Sequence, residues 1–289
     1  MWRHPTGGGA RRFPDGRKDR PRVRSKAVRI LRLGTSDSIL PLVREADRDV
    51  RIIEQAMAAE VGEAVETIAR EIWPEPGLPG IIERWLERFE PDMVSFKVSS
   101  YWFTYYSVPL RMRRLSRLGP VGPAIAAAGL KAAARPAVGN SGPFELARRG
   151  LRRTLGAATH FTPEETIRVM SDCLRTLARY ERAVVVVRGP LVPESWGCSR
   201  PLRERAERDR QHVDRTLAAL CRELRLHYTG RRVAPPYGEV RRYRGPDRLH
   251  LNADGHRRQG TEEAAAHLAA WRAAHGARVP LYLESEAAS

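Results

Sequence analysis

The segment that most limits what this chain can become is "AVVVVRG", residues 183–189. It is apolar from Ala183 to Val187, so a strand there has no polar face to offer water and must be covered on both sides. Strands of that kind lie inside parallel sheets with helices packed on both faces. The rest of the chain supplies the alternation such a sheet needs. Residues 27–33 and "DMVSFKVSS" at 92–100 read as strands from their β-branched and aromatic content, and "RLHYT" at 225–229 as a short last one. Residues 64–72 suit a strand or a helix equally. Helical periodicity marks 39–61, 81–89, 162–180, 200–224 and 254–275. The third of these opens on Thr162-Pro163-Glu164-Glu165, which joins an N-cap, a proline at the first helical position and a capping-box glutamate. "WPEPGLPG" at 73–80 is a loop by its Pro and Gly content, and a Pro/Gly/Arg loop runs up to Pro246. The expectation is an α/β domain with a parallel sheet between two helical layers, its ligand site beyond the carboxyl ends of the strands.

Length and composition set the boundaries. With 289 residues, 42% hydrophobic and 29% charged, the chain describes a soluble globular protein able to bury a full core. Residues 1–26 read as a basic, Gly-rich disordered arm without the apolar stretch of a secretory signal. Residues 27–276 form the folded domain and 277–289 a tail. Within the domain, 104–161 is Ala-, Gly- and Pro-rich and too long for an ordinary connection, so it is expected to be a lid or an added helical segment. No run is long and apolar enough for a membrane helix. Cys173, Cys198 and Cys221 are odd in number and scattered, which points to reduced thiols, a cytoplasmic setting and no metal site. The net charge of +17 invites a nucleic-acid partner. Against it, only four of the 51 basic residues are lysine, and the arginines alternate with acids as in "RERAERDRQ". Nucleic acid is therefore not the expected partner, and no cofactor is implied.

The chemistry is sought where strands end. "RILRLGTSDSIL", residues 29–40, passes from an apolar strand into Gly34 and then a polar knot of Thr35, Ser36, Asp37 and Ser38. That knot suits a β-turn, and it equally suits a nucleophile at the end of the first strand. Near the other end, "DRLHLNADGH" places Asp247 three residues before His250, in the loop entering the last helix. A carboxylate and an imidazole so placed can turn to one site, as orienting group and general base. Asp209 and His212 share the spacing inside a charged helix and serve as an internal control with a solvated surface role.

Together, Gly34-Thr35-Ser36 after the first strand, "PDMVSFKV" as the third, and Asp247-x-x-His250 followed by Gly255-His256 resemble the SGNH/GDSL hydrolase family. The resemblance spans about residues 27–274 and implies a flavodoxin-like, five-stranded parallel sheet in an α/β/α sandwich. It implies a serine esterase that acts through an acyl-enzyme on a small-molecule ester: Ser36 as nucleophile, His250 as base, Asp247 as its orienter. Ser38, which follows an aspartate as the family's serine does, is the rival nucleophile. The implied oxyanion donors are the backbone of Ser36 and of Gly77 or Gly80. The family's asparagine after the third strand is missing, and "SSYWFTYY" stands there, so a hydroxyl of Ser99, Ser100 or Tyr101 is the expected substitute. An acyltransferase would share every one of these residues, and a binding protein without activity would share the fold.

Overall fold

The computed structural model describes residues 27–36, 43–108, 110–111, 146, 150, 157–193, 198–230, 237–245 and 250–276. The arm, the tail, most of 104–161 including "VGPAIAAAGLKAAARPAVG", and the positions of Ser38 and Asp247 lie outside these residues.

Five strands form one sheet: β1 (Val28–Gly34), β2 (Val65–Glu71), β3 (Met93–Lys97), β4 (Val184–Arg188) and β5 (His227–Thr229). Their order is β2-β1-β3-β4-β5, and every pairing is parallel. The ambiguous stretch 64–72 is thus a strand, as pairing along the full length of β1 decides. The sequence order reverses between β1 and β3, which is where loops leave the sheet in opposite directions and open a crevice.

The helices are α1 (Asp49–Val61), α2 (Leu78–Phe89), a single turn α3 (Tyr101–Thr104), α4 (Pro163–Ala178), α5 (Arg200–Glu223), α6 (Tyr237–Arg242) and α7 (Ala253–His275). Two corrections follow. The end of "WPEPGLPG" is already helix, because Pro79 fits the open first turn of α2. The loop before Pro246 contains α6. The capping box on α4 is formed: Thr162 Oγ1 accepts from Glu165 N–H at 3.1 Å, and Glu165 Oε2 accepts from Thr162 N–H at 2.7 Å.

Strand periodicity sorts the core into two layers. Leu31 and Leu33 face α2, α4 and α5, where they meet Ile82, Leu86, Val169, Leu174, Val213 and Leu217. Val28 and Ile30 face α1 and α7, where they meet Ile53, Met57, Ala264 and Ala270. Val187 packs in the first layer and Val186 in the second, so β4 is covered on both sides. Burying one such valine contributes about 1.5–3 kcal/mol. The α1–α7 layer also carries charge. Arg32 lies on the same face as Ile30 and is 2% exposed, and its partners come from both helices.

Candidate active site

Strand β1 ends at Gly34, whose carbonyl accepts from Ile72 N–H at 2.9 Å, and the chain then delivers Ser36 to the carboxyl edge of the sheet. His250 reaches the same point from the connection between α6 and α7. Ser36 Oγ lies 3.2 Å from His250 Nε2, across 214 positions of sequence. Nε2 faces the hydroxyl, so Nδ1 is the ring atom left for an orienting group.

The loop that carries His250 is built to hold it. Gly245 N–H donates to His250 O at 2.8 Å, Asn252 N–H donates to Tyr243 O at 3.1 Å, and Arg244 and Leu251 form an antiparallel bridge. Asn252 is the pivot. Its Oδ1 accepts from Gly255 N–H at 2.9 Å and caps α7, while its Nδ2 donates to Arg242 O at 2.8 Å and Arg244 O at 3.3 Å. Gly255 is required by space, since a Cβ there would stand 2.2 Å from Tyr243 O. Sequence reasoning passed over Asn252. Its signal was an amide-bearing residue just before the helix, a preferred N-cap.

Sequence reasoning also missed the charged cluster beneath this edge. Arg32 Nη2 donates to Asp49 Oδ2 and to Glu263 Oε2, each at 2.6 Å. Asp49 also accepts from Gln259 Nε2 at 2.7 Å and from Val50 N–H at 2.9 Å, and His256 Nδ1 lies 3.2 Å from its Oδ1. Arg188 donates to Glu263, and to Glu262 at 3.1 Å. On α7, His256, Gln259, Glu263 and His267 fall at i, i+3, i+7 and i+11, one buried polar face on an Ala-rich helix. Gly260 completes it, with its Cβ position 3.0 Å from Asp49 Cα. Burial opposes the charge on Asp49, yet Arg32 and His256 outweigh it and hold the carboxyl well below its usual range. Glu263 is likewise lowered by Arg32 and Arg188 against the effect of burial. Arg32 is raised because Asp49 and Glu263 overcome its desolvation. The clue was in "RILRLG": an arginine on the buried face of a strand must find acids.

The expected oxyanion donors follow β2 and β3. Gly77 precedes α2 at an exposed position, and Gly80 lies within the first turn of that helix. Ser99 Oγ accepts from Tyr101 N–H at 3.3 Å. The Tyr101 ring stacks on Tyr105 at 4.7 Å and meets Trp73 edge-on at 6.2 Å. Ser100 requires a correction: its hydroxyl donates to Val192 O, and a hydroxyl has one proton, so Ser100 ties the loop after β4 rather than offering a donor. The control pair stays apart from the site. His212 is exposed on α5, and Asp209 lies 3.7 Å from Arg205.

A cavity of roughly 120 Å³ opens beside the Ser36–His250 pair, lined by Thr35, Val98 and Leu251 among others. Burial pushes the Cys173 and Cys221 thiols up to about 12, so neither is a thiolate nucleophile. Among the described residues, no group of three or more His, Cys, Asp or Glu could hold a metal ion.

Several solved esterases and lipases are similar to this chain. One is the psychrotrophic esterase EstA from Pseudoalteromonas sp., 12% identical, with 82% of this chain and 95% of that one covered and a TM-score of 0.47. Another is the lipase Lip_vut3 from a goat rumen metagenome, 14% identical over 83% and 97% of the two chains, with a TM-score of 0.49. A third is Est24, a carbohydrate acetylesterase from Sinorhizobium meliloti, 13% identical over 84% and 99%, with a TM-score of 0.45. No family model and no curated protein matches the chain.

Proposed function

We propose that this chain is a serine esterase of SGNH/GDSL type that hydrolyses a small-molecule ester through an acyl-enzyme. The observation that carries the reading is the 3.2 Å approach of Ser36 Oγ to His250 Nε2 at the carboxyl end of β1. A hydroxyl is a weak nucleophile until a base within hydrogen-bond reach can take its proton. In the proposed cycle Ser36 Oγ bonds to the ester carbonyl carbon as its proton passes to Nε2. The C–O bond to the alcohol then breaks, and the imidazolium returns the proton to the leaving alcohol. Water repeats the sequence and frees the acid and Ser36. Asp247 holds the Nδ1–H side of the ring in this scheme and stabilises the imidazolium. Ser38 is the rival nucleophile.

The negative oxygen is taken by backbone N–H groups of Ser36 and of Gly77 or Gly80, with Ser99 or Tyr101 as the remaining hydroxyl donors. With the Ser100 proton on Val192, that last donor falls to Ser99 or Tyr101, and a site that loses it runs roughly 10²–10³-fold slower. The free, buried cysteines support a cytoplasmic setting. Among the described residues no helix is long and apolar enough to cross a membrane.

The test is a fluorophosphonate probe with 4-nitrophenyl acetate hydrolysis. Wild-type protein is expected to be labelled and active, Ser36→Ala to be neither, and Ser38→Ala to keep both. The reverse pattern moves the nucleophile to Ser38. A folded wild-type protein with neither labelling nor turnover is a binding protein on this fold. Turnover that rises when an alcohol is added as acceptor, with ester formed in place of acid, makes it an acyltransferase.

A further inference from the structure

The aromatic residues around α3 fall into two sets. Trp102 and Phe103 are wholly buried in the core, whereas Tyr101 and Tyr105 are half-buried. Those two rings stack at 4.7 Å, and others gather on them. Trp73 meets Tyr101 edge-on at 6.2 Å, and His160 lies 5.3 Å from Trp73 and from Tyr101. Phe161 follows at 6.5 Å from Trp73. All five rings are half-buried. Phe, Trp and Tyr make up only 7% of the chain, so four of them with a histidine in one cluster exceed what composition supplies.

Strand register puts this cluster beside Ser36. Gly34 pairs with Glu71 on β2, and Leu33 with Phe96 on β3. Trp73 therefore stands as far beyond β2 as Ser36 stands beyond β1, and Tyr101 follows β3 on the other side. In the order β2-β1-β3, a ring contact between Trp73 and Tyr101 spans the end of β1. Trp73, Tyr101 and Phe161 pack on the layer of Leu31 and Leu33, whereas the cavity lined by Thr35 and Leu251 opens toward α6 and α7. The rings are also held in place. Ser107 and Ala158 exchange N–H···O bonds of 2.9 and 3.1 Å, and Phe161 N–H donates to Trp102 O at 2.9 Å, which clamps 158–161 to α3.

Acyl-enzyme chemistry decides which half of an ester meets these rings. His250 Nε2 returns the proton to the leaving alcohol, so the alcohol oxygen lies on the His250 side, with the cavity. The carbonyl oxygen turns to its donors, and the bond left over, to the acyl substituent, points to the rings. Ring faces and edges reward another ring beyond its area, because negative faces meet positive edges. From this placement we infer that Trp73, Tyr101 and His160 form an acyl subsite for a flat aromatic ring: the ester this protein cleaves is an aroyl ester. The inference rests on the reading of Ser36 and His250 as the reacting pair.

The experiment compares two matched pairs of esters on wild-type protein, each rate divided by the same ester's hydrolysis in buffer. Methyl benzoate against methyl cyclohexanecarboxylate puts the ring on the acyl side. Benzyl acetate against cyclohexylmethyl acetate puts it on the alcohol side. The benzoate is expected to exceed its saturated counterpart in kcat/KM by about fivefold, the scale of one aromatic pair, with the benzyl pair nearly equal. Trp73→Leu is expected to abolish that preference and Trp73→Phe to keep part of it. Tyr101→Phe keeps the ring, so the preference survives even where the lost hydroxyl slows both esters. A preference carried by the benzyl pair instead, or by neither pair, overturns the acyl subsite.

In parallel, calorimetry with benzamide and cyclohexanecarboxamide on Ser36→Ala protein reads the subsite without any chemistry. Esters turned over without ring preference, with neither amide favoured, overturn the subsite and leave the esterase. Benzamide bound more tightly, with the difference lost when Trp73→Leu is added and no ester turned over by wild type, upholds the ring subsite and overturns the esterase. The wild-type comparison needs no variant to fold.

Discussion

Replacing Arg32 by Met removes the cation that Asp49 and Glu263 share and leaves an unbranched apolar side chain in place of its stem. Asp49 is fully buried and Glu263 4% exposed, so water cannot take over. Glu263 keeps Arg188, but Asp49 is left with neutral donors and His256. Removing one partner of a buried pair costs about 3–5 kcal/mol. In a domain of this size that lowers the melting temperature by roughly 10 °C.

The pH dependence distinguishes this loss from simple misfit. In wild type the folded Asp49 carboxyl lies well below its unfolded value, so its contribution is complete above about pH 4 and drains only as pH falls through the folded value. In Arg32→Met burial dominates and lifts the folded value above the unfolded one, so stability is lost as pH rises from about 4. The gap between the two proteins therefore widens from pH 4.5 to pH 7. Urea titrations at both pH values measure it. A gap below about 1 kcal/mol, or one equal at the two pH values, would refute the reasoning.

Two further outcomes are expected. His250→Ala abolishes both fluorophosphonate labelling and ester hydrolysis, whereas His212→Ala, with the same i−3 aspartate but exposed on α5, alters neither; equal damage from both in folded protein would remove His250 from the site. Asn252→Ala loses the cap on α7, one tie to the end of α6 and one to Arg244, lowering stability by about 1 kcal/mol. It also frees the loop that carries His250, so kcat falls with KM little changed, and a variant that loses stability alone shows the cap has no part in positioning.

The features that sequence reading reached are those whose signal is periodic or positional. The all-apolar "AVVVVRG" demanded cover on both faces and received it, and Thr162-Pro163-Glu164-Glu165 formed its box because every partner lies within one turn. Ser36 and His250 were legible for a different reason: each follows a strand or enters a helix at the same edge of a parallel sheet, and topology brings 214 positions together without further help. Residues 64–72 were ambiguous because their amphipathic pattern fits two periods, and only the ladder with β1 decides between them.

Arg32 and Glu263 are separated by 231 positions and neither belongs to a recognisable spacing. What could have been read was the contradiction itself. Ile30 and Arg32 share a face of a strand whose other face carries the fully buried Leu31 and Leu33, so Arg32 had to be buried or the strand had to be an edge. Since β1 is central, burial follows, and buried arginine requires acids from whichever helices cover that face. Those helices are α1 and α7, and α7 begins three residues after His250. The ion cluster that solves the packing of β1 therefore also fixes the helix against which the candidate base is hung, and a fault in the one is a displacement of the other.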